Sequence, residues 1–292
     1  MVTDHPNSSF NPIRGILVMV LALMMWLVFG PVLAFIAMDH MEGFPESLSM
    51  YIGIHIPYIM MFLALLLGAE FILKTNLRTL LSGSGGKFRW AFAMQSGLLY
   101  TVFMVIATPA VSGGMRWNGI AFSSYLTAFI PVIILTPMQA ISEELFFRAI
   151  PARIFYRDKL PSSPLASLPI VIISSAFFTF PHLWNREVTA ASHMILPILC
   201  YLSWGGLAMF LSLATDGFEA STAMHVANNL FIALLVNYEG SSMPTEALFT
   251  ASNAGSTATL IETFLVFLLL YLFALKNGKC LPRFRPKQQK QL

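Results

Sequence analysis

At 292 residues and 32.4 kDa the chain could make one or two water-soluble domains, but 57% of it is hydrophobic, only 11% is charged, and the mean hydropathy is +0.71. Soluble chains carry about 25% charged residues, so the polar side chains here cannot cover a water-facing surface, and an ordinary soluble domain is excluded. The net charge is a modest +3, and two cysteines, Cys200 in an apolar run and Cys280 near the basic end, offer no basis for a disulfide framework or a Cys-rich metal site.

A helix needs roughly 20 apolar residues to cross about 30 Å of hydrocarbon. Eight stretches approach that: Ile13 to Met38, Tyr51 to Leu73, Trp90 to Val111, Phe122 to Ile141, Leu165 to Pro181, Met194 to Ala214, Ser221 to Val236 and Ala258 to Leu275. The fifth and seventh are short and carry polar residues. The first is too long for the apolar region of a cleaved signal peptide, so it is expected to stay in the mature protein. The pattern predicts an all-α, polytopic helical bundle: N-terminal membrane helices over residues 1–120, a core over 121–240, and a last helix with a basic tail over 241–292, together one membrane domain.

Cytoplasmic loops retain Lys and Arg. With the N-terminus inside, 15 of the 17 Lys and Arg residues fall on the inner side and only Arg116 and Arg186 on the outer, so both termini are predicted to be cytoplasmic. The run from Ser82 to Gly86 reads as a flexible inner linker, and the tail from Lys276 to Lys290 as an anchor for anionic headgroups. The partners implied are the lipid bilayer and a membrane-associated protein or peptide, with no nucleic acid.

Ionisable groups inside membrane helices cost at least about 2.5 kcal/mol each, so those present call for a reason. Three clusters stand out, at 143–148 (Glu-Glu-Leu-Phe-Phe-Arg), 178–182 (Phe-Thr-Phe-Pro-His) and 225–229 (His-Val-Ala-Asn-Asn). Glu144 and Arg148 lie four apart and can pair on one helical face, while Glu143 points about 100° away with no such partner. His225 and Asn229 also lie one turn apart, where they can donate two hydrogen bonds to one oxygen or bond across helices. A hairpin turning at Pro161 to Pro164 brings residues to one height when their numbers sum to about 325, as Glu143 and His182 do. The helix from Ile150 to Lys159 would then project into the cytoplasm, all three clusters would share one level in the inner leaflet, and residues 182–193 would rise irregularly through the outer half.

A desolvated Glu143 suits a general base, a water between it and His182 could attack a peptide carbonyl, and His225 with Asn229 could hold the oxyanion. No histidine is followed by glutamate, which excludes the His-Glu-x-x-His metalloprotease helix, and the Gly-x-Ser-Gly and Gly-x-Gly-Asp signatures of intramembrane serine and aspartyl proteases are absent. A zinc site from His182, His225 and Glu143 stays open chemically, although nothing in the spacing requires a cofactor.

Glu-Glu-x-x-x-Arg, Phe-x-x-x-His and His-x-x-x-Asn in this order on successive membrane segments resemble the CAAX protease and bacteriocin-processing family, also called the abortive-infection family. Trp204-Gly205-Gly206 through Thr215-Asp216-Gly217 resembles its glycine-bearing segment before the last motif. The resemblance implies a multi-pass prokaryotic membrane endopeptidase similar to the type II CAAX prenyl endopeptidases. It implies Glu143 as catalytic glutamate, His182 sharing its water, His225 and Asn229 as the oxyanion pair, and Glu144 and Arg148 as support. The substrate is expected to enter from the inner leaflet. The alternatives are a non-catalytic protein of the same fold, serving as an immunity or scaffold factor, and a proton-coupled transporter, which the gathering of polar groups at one level disfavours.

Overall fold

Helix starts follow from side-chain chemistry. Asn11, Ser163 and Ser256 each cap a helix by accepting from backbone N–H groups of its first turn, and Pro12 and Pro164 occupy first helical positions, where a missing N–H costs nothing. The computed structural model describes residues 10–84, 86–112, 114–157, 161, 163–252 and 256–284. Asp158, Lys159, Gly85, Arg285, Lys287 and Lys290, which figure in the loop and tail readings above, lie outside them.

The long helices are α1 (Pro12–Asp39), α2 (Glu46–Leu73), α4 (Trp90–Val111), α5 (Phe122–Tyr156), α6 (Pro164–His182), α8 (Ile195–Ala214) and α10 (Thr257–Lys276). Shorter ones are α3 (Leu77–Leu81), α7 (Arg186–Thr189) and α9 (Glu219–Leu230), the last continued by a π turn, Phe231–Leu235. Among the described residues the seven long helices are apolar enough to cross a membrane. The stretch read as the seventh span is α9, shorter and more polar, packed inside the bundle against α4 and α5. Large apolar side chains such as Ile13, Phe35, Ile106, Phe122 and Leu165 are exposed around the bundle, far more than a water-soluble monomer shows. The chain is an integral, multi-pass membrane protein.

The loops gather on two opposite faces. On the sheet face, β1 (Met115–Trp117), β2 (Val236–Tyr238) and β3 (Phe249–Ala251) form a small sheet in the order β1-β3-β2, antiparallel at β1/β3 and parallel at β2/β3. The α1–α2 turn joins this face through Ser47 Oγ donating to Glu246 at 2.8 Å, and the α6–α8 connection through Glu187. On the terminal face, the start of α1 packs on the end of α5, and the Leu281 N–H donates to Ala214 O at 2.8 Å.

Two expectations for the terminal face change. Ser82 to Ser84 do not form a free linker: Ser82 is buried, and Ser84 N–H and Oγ donate to the Asp216 carboxylate at 3.1 and 2.5 Å. Nor does the end of α5 project freely, because the Arg153 guanidinium donates to the carbonyls of Thr79, Leu80 and Ser82. Uncapped carbonyls at the end of α3 attract a cation.

A buried cluster of Leu145, Phe146, Phe147 and Ile150 with Met61, Leu65, Met209 and Leu213 fills the bundle on the terminal side of Glu144. A second, of Tyr100, Met224, Val266 and Phe267, lies beside α9. Residues 182–193, expected to be irregular, begin at the last residue of α6 and hold the single turn of α7.

Candidate active site

Glu143 and Glu144 end the regular part of α5, and a π turn, Leu145–Ala149, follows at once. Such turns add a residue to the helical ring and recur at functional sites. Here the turn carries Arg148, fully buried and ion-paired with Glu144 Oε1. The second carboxylate oxygen of Glu144 accepts from Ser221 Oγ at 2.9 Å, and Oε1 also meets His225 Nδ1 at 2.9 Å. Glu144 is thus held by three partners from two helices and faces no open space.

Glu143 differs in each respect. Gln139, one turn earlier, donates Nε2 to Oε1 at 3.1 Å, and Oε2 stands 3.6 Å from His225 Nε2, beyond hydrogen-bond length. Glu143 is 2% exposed and lines a cavity of about 440 Å3 together with His182, His225 and Asn229. The four residues singled out in the sequence therefore meet at one cavity, which also takes in Tyr58, Tyr100, Tyr201 and Trp204.

The ring nitrogens can be assigned from their partners. His182 Nδ1 lies 2.6 Å from Phe178 O, and a carbonyl only accepts, so Nδ1 carries a proton and Nε2 is the ring nitrogen left for another partner. The Phe178 and Tyr201 rings each lie with their centroid 4.4 Å from that of His182. Nδ1 of His225 is committed to Glu144, which leaves Nε2 facing Glu143. Phe178 links the parts, its ring lying 6.0 Å from that of His225 and 4.5 Å from the Arg148 guanidinium.

His225 is thus not simply the twin of Asn229: it stands between the two glutamates. Asn229 is oriented by a relay that the sequence reading missed. Tyr100 Oη donates to Asn228 Oδ1 at 2.7 Å, and Asn228 Nδ2 donates to Asn229 Oδ1 at 2.9 Å. With Oδ1 occupied, Asn229 has its amide hydrogens left to donate. Gln139 and Ser221 were also missed. Gln139 carried a signal, its spacing of four from Glu143, whereas Ser221 and Tyr100 act across long sequence separations.

Glu187 ties the rim of the cavity on the sheet face, accepting from Tyr238 Oη at 2.7 Å and from Ser242 N–H at 2.8 Å. Burial, and then the adjacent Glu187 charge, hold the Tyr238 phenol well above its ordinary pKa, so it remains the donor. For zinc, no three His, Cys, Asp or Glu side chains among the described residues converge closely enough to hold one ion. His182, His225 and Glu143 as placed do not make that ligand set.

Residues 125–231 match the family described as type II CAAX prenyl endopeptidase Rce1-like. This central segment is similar to a family of membrane proteases. It contains Glu143, Glu144, Arg148, His182, His225 and Asn229, so the six motif residues that the sequence singled out fall inside it. A relative, the uncharacterized protein YyaK of Bacillus subtilis (strain 168), is 26% identical over 194 residues, covering 64% of this chain and 61% of YyaK. The chain thus spans less than two thirds of the length of that curated relative. No solved structure matches the chain.

Proposed function

We propose that the chain is an intramembrane endopeptidase that hydrolyses a peptide bond of a membrane-associated protein or peptide with water activated by Glu143 and His182. The observation that carries this reading is the inequality of the two adjacent acids. Arg148, Ser221 and His225 occupy Glu144, whereas Glu143 presents an oxygen to a cavity shared with two imidazoles and an amide.

Charge balance supports the roles. Arg148 offsets Glu144, which spares the pair an uncompensated buried charge, and His225 stands between the two glutamates with Nε2 toward Glu143. A water held between Glu143 and His182 Nε2 attacks the peptide carbonyl carbon and passes its proton to Glu143. The carbonyl electron pair moves onto oxygen, where His225 Nε2–H and an Asn229 amide hydrogen donate to it. When the intermediate collapses the C–N bond breaks, and the proton on Glu143 goes to the departing amine.

Glu143→Gln keeps the shape and the Gln139 contact but cannot take a proton. General-base catalysis contributes about 10²- to 10⁴-fold, so cleavage should fall by that order. The measurement compares new polypeptide N-termini in membranes from cells carrying the wild type and the variant. Loss of a defined set supports the assignment; identical sets, with equal protein levels, overturn it and favour the non-catalytic reading. A chelator is expected to leave the wild-type rate unchanged, since every group in the sequence of steps belongs to the chain.

A further inference from the structure

The cavity has a direction. Its lining comes from the parts of the helices that run toward the sheet face: Thr108 and Ser112 at the end of α4, Pro197 and Cys200 at the start of α8, and Thr259 and Glu262 at the start of α10. It continues past β2 to Asn185, Glu187, Ser242 and Met243 on the sheet-face loops. The opposite end is closed. Directly beyond Glu143 come Glu144, Leu145, Phe146, Phe147 and Arg148, each no more than 1% exposed, and then the apolar cluster that fills the terminal side. Among the described residues, none in the terminal-face segments 74–92, 148–176 or 206–224 lines the cavity.

Charge tells the two faces apart. Of the described Lys and Arg residues, Arg14, Lys74, Arg78, Lys87, Arg89, Arg148, Arg153, Arg157, Lys276, Lys279 and Arg283 lie toward the terminal face, against Arg116 and Arg186 on the sheet face. The sheet face instead carries Asp39, Glu42, Glu46, Glu187, Glu239 and Glu246. Cytoplasmic loops hold the basic excess, so the terminal face is the cytoplasmic one.

We infer that the site is served from the non-cytoplasmic side, so that its substrate is an exported or membrane-spanning polypeptide whose cut segment reaches the outer half of the bilayer. This rests on the endopeptidase reading and replaces the expected approach from the inner leaflet. It also selects within the substrates that reading allows: a lipidated tail exposed only in the cytoplasm would meet the sealed end.

Sidedness can be read without turnover by testing cysteine reactivity in the inactive Glu143→Gln protein, so that a failed protease assignment leaves the result intact. Three variants are compared in intact cells with a membrane-impermeant, charged maleimide. One keeps Cys200 alone, by Cys280→Ser; the others carry Met243→Cys or Lys279→Cys with both native cysteines changed to serine. Labelling of Cys200 and Met243→Cys before permeabilisation, with Lys279→Cys labelled only after it, is the expected pattern. Met243→Cys reacting only after permeabilisation, or Lys279→Cys reacting before it, overturns the orientation. If Met243→Cys reacts from outside while Cys200 reacts only after permeabilisation or not at all, access from that face is overturned.

Discussion

Arg148→Met tests the most costly feature of the site. Arg148 and Glu144 are both fully buried, so removing the guanidinium leaves a carboxylate with Ser221 and His225 as its remaining partners and no full countercharge. Breaking a buried pair from one side costs about 3–5 kcal/mol. At about 2.1 cal/mol/K of unfolding entropy per residue, that lowers the melting temperature of a chain this size by roughly 5–8 °C. Arg148 is itself poorly satisfied, since Nε and Nη2 have no hydrogen-bond partner and its face rests on Phe178. Its desolvation is therefore only partly offset, and the double variant Glu144→Gln/Arg148→Met should recover most of the lost stability. Cleavage should not recover, because the neutral amide introduced by Glu144→Gln cannot hold His225 Nδ1 as a carboxylate does. The assay is thermal unfolding of the wild type, Arg148→Met, Glu144→Gln and the double variant in one detergent, set beside their cleavage rates. A neutral single variant, or a double variant no more stable than the single, would refute this account.

Two further outcomes follow from the geometry. Asn229→Ala removes a donor from the developing oxyanion and should lower kcat by about 10²- to 10³-fold, while Asn228→Ala, which frees Asn229 from Tyr100 without touching the reacting atoms, should have a smaller effect on kcat and little on KM; equal losses in both variants would contradict the relay. Gly217→Ala should destabilise the terminal face, because Gly217 has φ +151° and a Cβ there would collide with Glu219 Oε2 and lie 2.6 Å from Arg89 Nη2. Arg89 uses that space to bind Glu219 and the carbonyls of Thr215 and Asp216, so faster proteolysis of the α8–α9 turn is the result to measure.

Features set by short-range periodicity were legible in the sequence. Glu144 with Arg148 follows from a spacing of four on one helix, and the limits of α4 follow from its apolar run. The hairpin of α5 and α6 was legible too, since depth arithmetic needs only the rise per residue and the turn; Ser174 Oγ donating to Phe147 O at 2.9 Å places its register close to the expected one. Glycine spacing hinted at close packing without naming the partner: a Cβ on Gly205 would lie 2.9 Å from Ser175 Cα, so α8 can approach α6 only because that position is bare. Contacts across long sequence separation left no comparable trace. Tyr100 reaches Asn228 over 128 positions, and Asp216 pins Ser84 over 132, turning an apparent linker into a fixed loop.

The direction of the cavity belongs to a further class, because it depends on volume and not on height. Depth arithmetic puts Glu143 and His182 at one level but is silent on which side of that level is filled. The side chains that decide it are Phe146 and Phe147, whose rings lie 5.0 Å apart and both contact Phe177 and Trp26. In the sequence they are indistinguishable from any apolar pair in a membrane span. In the fold, the π turn aims both inward beneath the glutamates, where close-packed aromatic rings leave no passage toward the terminal face. Access is thus fixed by two residues with no chemistry of their own, and motif spacing alone cannot assign a side of the membrane to the reaction.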